Sequence, residues 1–139
     1  MAARRLTLEF VLRPDEPALG QIIEHVVRMV ALGFYRPGDA LPSALVLGEQ
    51  IGVSRTIVQQ AFRSLEQSGI TSAVRGGVTS IAEGADTRRL FIRRMFSDVI
   101  DAARNLIPPL DRDEVDEAYR LEAERHFRTR RRPTEDDSS

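Results

Sequence analysis

The sequence predicts a mainly α-helical fold with a small β-hairpin, followed by a two-helix C-terminal extension. Three observations support this prediction. Apolar residues recur at helical spacing between glycine and proline breaks. Two helical segments are joined by a short turn that contains glycine, and two β-prone runs then surround a glycine-rich turn. We predict a domain over residues 1–84, a helical extension over 85–127 and a disordered tail over 128–139.

The composition argues against an enzyme. The chain has no cysteine, which excludes disulfides and thiolate chemistry, and all 20 basic residues are arginine, which excludes a lysine nucleophile. His25 and His126 lie about a hundred residues apart in the sequence and form no ligand cluster with metal-site spacing. We therefore predict no catalytic site, no metal and no cofactor.

The termini and the charge give two further expectations. No run of 18 apolar residues and no signal-peptide pattern is present, so we expect a cytoplasmic protein with no membrane association. The formal net charge is −1. Dedicated DNA-binding domains are often strongly basic, so affinity for DNA would have to come from the local placement of arginines.

The first third of the chain predicts three elements. Leu6–Leu12 alternates weakly and is rich in strand formers, so we expect a short edge strand. A helix begins at Pro17, carries apolar residues at helical spacing and ends at Gly33. A turn over residues 36–39 then leads to a bridge strand at Ala40–Leu41.

The central segment predicts two helices joined by a tight turn. Ser43 caps a helix that runs through Gln50, and Ser54 caps a second helix that runs to about Ser68. Ile51–Val53 forms the turn between them. One face of the second helix is apolar and predicted to be buried: Val58, Ala61, Phe62 and Leu65.

This arrangement is the helix-turn-helix pattern, in which the second helix enters the major groove of DNA. Arginine can bind guanine, glutamine can pair with adenine, and threonine can contact a thymine methyl group. Spacing alone leaves open an amphipathic helix whose polar face merely contacts water. The candidate DNA-binding residues in the two helices are Ser43, Ser54, Arg55, Thr56, Gln59, Gln60 and Arg63.

A hairpin is predicted directly after the second helix. The runs Ile70–Val74 and Val78–Ala82 surround Arg75-Gly76-Gly77. A hairpin in this position is a wing, and we expect Arg75 and Gly76 at its tip to approach the DNA backbone. The fold predicted for the domain is therefore a winged helix-turn-helix.

Residues 10–83 resemble the DNA-binding domain of the GntR family of bacterial transcription regulators. The resemblance rests on Pro17 with Gln21-Ile22, on Arg36-Pro37-Gly38-Asp39 with Leu41-Pro42-Ser43, on Ile51-Gly52-Val53-Ser54-Arg55-Thr56, on Leu65-Glu66 with Gly69-Ile70, and on the wing string Arg75-Gly76-Gly77-Val78-Thr79. It implies a regulator that binds double-stranded DNA.

The sequence departs from the family pattern at several positions. Leu45 stands where the family has an arginine that contacts phosphate, and Val46 replaces the glutamate of a capping box. Ile57, Gln59 and Val78 also differ from the family residues. We expect DNA binding with a changed sequence preference; the alternative is that an exposed Leu45 and Ile57 form a protein contact in a module that binds DNA weakly or not at all.

The C-terminal segment predicts two amphipathic helices. The first is capped by Asp86 and runs to about Ile107, and the second follows Pro108-Pro109 with a capping box at Asp111–Glu114. Their apolar surface is too large for isolated helices, so we predict a homodimer; an intramolecular helical hairpin is the alternative. The predicted interface residues are Ile92, Phe96, Val99, Ala103, Leu106 and Tyr119.

A short helical tail after the wing is similar to the YtrA-type subfamily, in which the tail serves dimerisation. This resemblance implies a homodimeric repressor on a palindromic operator. A small effector bound between the tail helices is a further alternative, although no cluster of polar residues marks a pocket.

Overall fold

The computed structural model describes residues 4–74 and 77–128, and it contains two compact units. The first unit extends to Arg93 and the second begins at Arg94. The helices are α1 (Ala18–Ala31), α2 (Ala44–Ile51), α3 (Arg55–Gln67), α4 (Arg88–Arg104) and α5 (Arg112–Arg128), and the strands are β1 (Thr71–Val74) and β2 (Val78–Ile81). The described part of the chain is therefore mainly helical with a small antiparallel sheet, as predicted.

The core of the first unit lies between α1, α2 and α3. Ile22 and Val26 of α1 and Leu47 of α2 are fully buried. The predicted apolar face of α3 is buried against them, which confirms the helical period read from the sequence. This buried face consists of Val58, Ala61, Phe62 and Leu65.

The N-terminal strand predicted over Leu6–Leu12 is wrong. Over residues 4–12, which the structure describes, Arg5 alone forms a bridge, with Ala40, and the Leu6 N–H donates to the Ala40 carbonyl at 2.8 Å. Ala40 donates to the Arg4 carbonyl and accepts from Leu6, and the next bond of this parallel ladder would need an N–H at residue 42, which is Pro42, so the ladder stops there. The alternation has another cause, because Leu6 and Leu8 are buried in the core while Thr7 and Glu9 are exposed.

The predicted hairpin is present. β1 and β2 pair antiparallel from Thr71 with Ile81 to Val74 with Val78, and Ala40 of the predicted bridge strand forms an isolated bridge with Ser80. Gly77 has a φ of 83°, which favours glycine at this turn. The predicted tip residues Arg75 and Gly76 lie outside the described residues.

α4 begins within the first unit. The Thr87 hydroxyl is buried and donates to the Val27 carbonyl of α1 at 2.7 Å, and Phe91 packs against the core. Asp86 accepts the Arg88 N–H at 3.1 Å, as a capping residue does. The compact units consequently divide inside α4, whereas the sequence placed its domain boundary after Gly84.

α4 ends at Arg104, three residues before the predicted end at Ile107. The Asn105 side-chain amide donates to the Asp101 carbonyl at 2.9 Å and so takes up an acceptor of the last turn. Ile107 precedes Pro108, and a residue before proline is disfavoured in helical conformation. The capping box of α5 is confirmed: the Glu114 N–H donates to Asp111 at 2.9 Å, and the Asp111 N–H donates to Glu114 at 3.2 Å.

Candidate nucleic-acid interface

The turn between α2 and α3 fixes how α3 leaves its scaffold. Gly52 ends α2 in the left-handed region, with a φ of 76°. The N–H groups of Gly52 and Val53 both donate to the Gly48 carbonyl at 2.9 Å. A Cβ added at Gly48 would lie 2.7 Å from the Val53 carbonyl oxygen, so only glycine permits this approach of α2 to the turn.

Both helices of the motif begin at the predicted caps. The Ser43 hydroxyl accepts the Val46 N–H at 3.2 Å, and the Ser54 hydroxyl accepts the Ile57 N–H at 3.3 Å. Neither helix has an acidic residue in its first turn. The partial positive charge of each N-terminus is therefore not offset locally, which suits an anionic partner.

The polar face of α3 is exposed along its length. Successive residues turn by about 100° around a helix axis, so Thr56, Gln60 and Arg63 lie opposite the buried face. Arg55 and Gln59 form a neighbouring row on one flank. The exposed members of the predicted set are Arg55, Thr56, Gln59, Gln60 and Arg63.

Gln67 extends the outer row and was missed by the sequence analysis. It is exposed and lies four residues after Arg63, on the same side of α3. The spacing from Gln60 and Arg63 was the signal that could have found it. Glu66 beside it is the acidic residue of α3, so negative charge on the helix is confined to its last turn.

The residues that depart from the family pattern differ in how exposed they are. Leu45 and Val46 of α2 are 52% and 43% exposed. The expectation that Ile57 is exposed is wrong, because Ile57 is half-buried and packs against the core. An apolar residue at this flank of α3 thus adds to the domain's packing.

A buried carboxylate braces the loop that precedes α2. Asp39 accepts hydrogen bonds from the Arg4 guanidinium at 2.6 Å and from the Arg36 N–H at 2.8 Å. Burial alone would raise the pKa of Asp39, but these hydrogen bonds outweigh it and hold the pKa below its ordinary value. Arg4 also donates to the Phe34 carbonyl at 2.6 Å, so one side chain ties the N-terminal segment to this loop.

A second cluster lies at α1. The Nε2 atom of His25 is 2.9 Å from the Tyr35 hydroxyl, and the His25 ring stacks on Phe10 with centroids 4.4 Å apart. Burial, followed by the charge of Arg28, lowers the pKa of His25. Burial raises the pKa of Tyr35 to about 12. These residues pack together beside α1 and are not part of the exposed face of α3.

Most of the predicted dimer residues are exposed in the single chain. Ile92, Phe96, Val99, Leu106 and Tyr119 are between 43% and 57% exposed. The Phe96 and Tyr119 rings meet edge to face, with centroids 5.8 Å apart. Ala103 differs from this set because it is already buried within the second unit, so its side chain is not available to another subunit.

The described residues show little that would hold a small ligand. Residues 4–74 and 77–128 contain no group of three or more His, Cys, Asp or Glu side chains placed to bind a metal ion. A surface cavity in the second unit is lined by charged residues, Asp113, Asp116, Glu117 and Arg120, whereas ligand sites are mostly apolar. Among the described helices, none is long and apolar enough to cross a membrane.

Comparison with known proteins identifies the helix-turn-helix region. Residues 19–81 match the family model described as "Bacterial regulatory proteins, gntR family". The chain is 42% identical over 76 residues to the HTH-type pyridoxine biosynthesis transcriptional regulator PdxR of Corynebacterium glutamicum, covering 53% of this chain and 17% of that protein. It is 36% identical over 75 residues to the HTH-type transcriptional repressor YtrA of Bacillus subtilis, covering 54% of this chain and 58% of that protein.

Both alignments span less than two thirds of the relative's own length. A solved structure is similar in fold over a larger part of the chain. A GntR family transcriptional regulator from Listeria monocytogenes matches with a TM-score of 0.59 and 20% identity, covering 79% of this chain and 98% of that one. This neighbour shows the fold, and the matched family is one of regulatory proteins rather than enzymes.

Proposed function

We propose that this chain is a sequence-specific DNA-binding transcription repressor, because residues 19–81 form a helix-turn-helix region that matches the GntR family model. It acts as a homodimer on a palindromic operator. The relative YtrA of Bacillus subtilis is a repressor by name, which supports repression rather than activation.

One observation carries the DNA-binding part of the proposal. α3 presents an unbroken row of exposed donors and acceptors above a fully buried face. Arginine and glutamine in such a row can each form two hydrogen bonds with the edge of one base. Arg55 and Thr56 lie in the first turn of α3, the part of a recognition helix that enters the groove first.

Selection of bound duplexes from a random DNA pool tests this proposal. We expect one enriched sequence with two-fold symmetry, because each subunit of a symmetric dimer contacts one half-site. Fluorescence anisotropy with that duplex then measures Arg55→Ala. The loss of a bidentate arginine contact should weaken binding by about 1–3 kcal/mol.

Arg28→Ala is the matched control, since Arg28 is an exposed arginine on α1, away from the α3 face. It should leave the affinity within about twofold. Equal losses for the two variants, or an Arg55→Ala variant with unchanged affinity, would contradict the assignment of α3 as the DNA-contacting helix.

The homodimer is supported by apolar side chains that stay exposed along α4 and directly after it. Ile92, Val99 and Leu106 lie on α4 or directly after it and face solvent in a single chain. A second copy that buries them also positions two recognition helices for a symmetric operator.

Phe96→Glu tests the dimer by sedimentation velocity, and dissociation is expected because the substitution places a charge among apolar side chains. Phe96 also contacts Tyr119. Val99→Glu therefore provides a second variant, since it charges the same helix without breaking that ring contact. An intact dimer in both variants would contradict the proposed interface.

A further inference from the structure

Gln60 lies at the centre of the exposed face of α3. The opposite face is fixed against the core, since Val58, Ala61 and Leu65 are completely buried. Successive residues turn by about 100° around the helix axis, which places Gln60 almost opposite this buried face and Gln59 to one side of it. Both glutamines are exposed. Two identical side chains that are neighbours in the sequence therefore project in different directions.

The width of the major groove determines what these two directions contact. An α-helix with its side chains is about 10–12 Å across, and the major groove of B-DNA is about 12 Å wide. A helix in the groove consequently fills it from wall to wall. Side chains opposite the buried face then point to the base edges, whereas side chains on a flank point to the sugar–phosphate walls. Arg55, also on the flank, can still reach a base because it lies in the first turn, at the tip that enters the groove.

The Gln60 side chain is available to another molecule. Within residues 4–74 and 77–128 its amide makes no hydrogen bond. The residues three and four positions away, which are its neighbours on the helix surface, carry no carboxylate that could bind the amide. Both the donor and the acceptor of the amide are consequently free to bind a partner.

A glutamine amide matches the major-groove edge of adenine better than that of any other base. It presents one acceptor and one donor side by side. Adenine presents the N6 donor next to the N7 acceptor, whereas guanine presents two acceptors, thymine the O4 acceptor and cytosine the N4 donor. Both bonds of the amide can form with adenine, while the other bases leave one amide group unpaired, which costs free energy.

We propose that Gln60 determines the specificity of this chain for an adenine in each operator half-site. Its Oε1 atom accepts a hydrogen bond from adenine N6, and its Nε2 atom donates one to N7. The inference rests on the proposed DNA-binding function and names the base that the middle of α3 recognises. Gln59 contributes to affinity at the groove wall and does not select a base.

The spacing along α3 gives the position of this adenine relative to a second contact. Thr56 lies four residues before Gln60 on the same side of the helix, which is about 6 Å along the helix axis. Base pairs are about 3.4 Å apart along the DNA axis. The adenine should therefore lie about two base pairs from the base pair nearest to Thr56.

Replacement of single adenines by 7-deazaadenine in the operator enriched from the random pool tests the proposal. This analogue lacks the N7 acceptor but keeps the N6 amino group and the pairing with thymine. Each adenine position is replaced in both half-sites, and anisotropy titration measures the affinity of the full chain. We expect one position in the half-site at which the replacement weakens binding about tenfold, because the glutamine loses one of its two bonds.

Four variants at exposed positions of α3 identify the side chain responsible. Gln60→Ala should bind the unmodified operator about tenfold more weakly and should no longer distinguish it from the 7-deazaadenine operator. Gln59→Ala and Gln67→Ala are matched controls on the flank and at the last residue of α3, and each should retain the full response. Gln60→Glu should shift the preference at this base pair from adenine toward cytosine, since a carboxylate accepts a hydrogen bond from cytosine N4.

The possible results distinguish a failure of this inference from a failure of the proposed function. An operator in which no adenine responds to the replacement overturns the inference and leaves the DNA-binding proposal intact. A response that persists in Gln60→Ala, or that disappears in Gln59→Ala, also overturns it, because another side chain then reads the adenine. A random pool that yields no enriched duplex contradicts the proposed function, and the inference fails with it.

Discussion

The two units of this protein differ in what happens to their apolar side chains. In the first unit, Ile22, Leu47, Val58 and Leu65 are completely buried by contacts within the chain. In the second, Ala103 is the apolar residue of α4 that is buried, and α5 has none among its described residues. The first unit completes its own core, whereas the second leaves apolar surface that a further subunit can bury.

The largest expected effect is the loss of stability when a buried leucine of the first unit is truncated, and it tests this comparison directly. Leu65→Ala removes a fully buried side chain and should lower the free energy of unfolding by about 2–5 kcal/mol. Leu106→Ala is the matched truncation in the tail, where the side chain is 51% exposed. It should lower the free energy of unfolding of the dilute monomer much less than Leu65→Ala does, since much of the Leu106 side chain already contacts water.

Urea denaturation at low protein concentration measures both variants, and sedimentation measures their dimerisation. Leu106→Ala should weaken the dimer, while Leu65→Ala should affect folding first. If Leu106→Ala destabilised the dilute chain as strongly as Leu65→Ala, the tail would have a self-sufficient core and the contrast would be wrong.

A smaller effect is expected at the turn of the first unit. Gly48→Ala brings a Cβ to 2.7 Å from the Val53 carbonyl, and a backbone atom must move to relieve it. We expect a loss of about 1–3 kcal/mol in stability, together with weaker operator binding because α3 shifts. Gly20→Ala in α1 is the control: nothing lies within 4 Å of its added Cβ, so the variant should gain up to about 1 kcal/mol.

Thermal unfolding and anisotropy titration together separate the two glycines. A Gly48→Ala variant as stable as wild type and with equal DNA affinity would show that α2 and α3 adjust freely.

Local signals in the sequence predicted the elements that depend on neighbouring residues. The caps at Ser43, Ser54 and Asp111 are confirmed because a capping residue and its partner lie within three positions of each other. The buried face of α3 is likewise a matter of helical period. The end of α4 was misplaced, because the Asn105 amide stops the helix by a side-chain bond that periodicity does not detect.

Features that depend on distant residues could not be predicted in this way. The Arg4–Asp39 pair joins residues 35 positions apart, and the Leu6–Leu12 alternation gave no indication that the bridge to Ala40 is made by Arg5, just before the run. Ile57 lies on the flank of α3, where burial depends on the neighbouring helices rather than on period. The residues proposed to contact DNA and a second subunit remain predictions. Helical spacing in the sequence indicates which side chains are exposed, but it does not indicate which molecule they bind.

Removing a helix N-cap from each unit should have a smaller effect, and it tests whether the two units unfold separately. Ser54→Ala removes the acceptor for the Ile57 N–H and should cost about 1 kcal/mol of global stability, since α3 is part of the cooperative core. Asp111→Ala breaks the reciprocal bonds with Glu114 at the start of α5. Its effect should appear as local opening of α5, with little change in the unfolding of the first unit.

Hydrogen exchange distinguishes these results, because it reports opening segment by segment. Faster exchange confined to α5 is expected for Asp111→Ala, and a uniform change across α1–α3 for Ser54→Ala. Uniform acceleration in both variants would mean that the two units unfold together.

The smallest effect concerns His25, a half-buried histidine of the first unit. The pKa of His25 is lowered by burial and by Arg28, so the folded chain binds fewer protons at this site than the unfolded chain. Stability therefore falls as the pH drops below about 6.5, the ordinary pKa of histidine. Urea denaturation between pH 7.5 and 5.5 should show this slope in the wild type and a flatter one in His25→Gln. A slope that persists in His25→Gln would place the responsible group elsewhere in the chain.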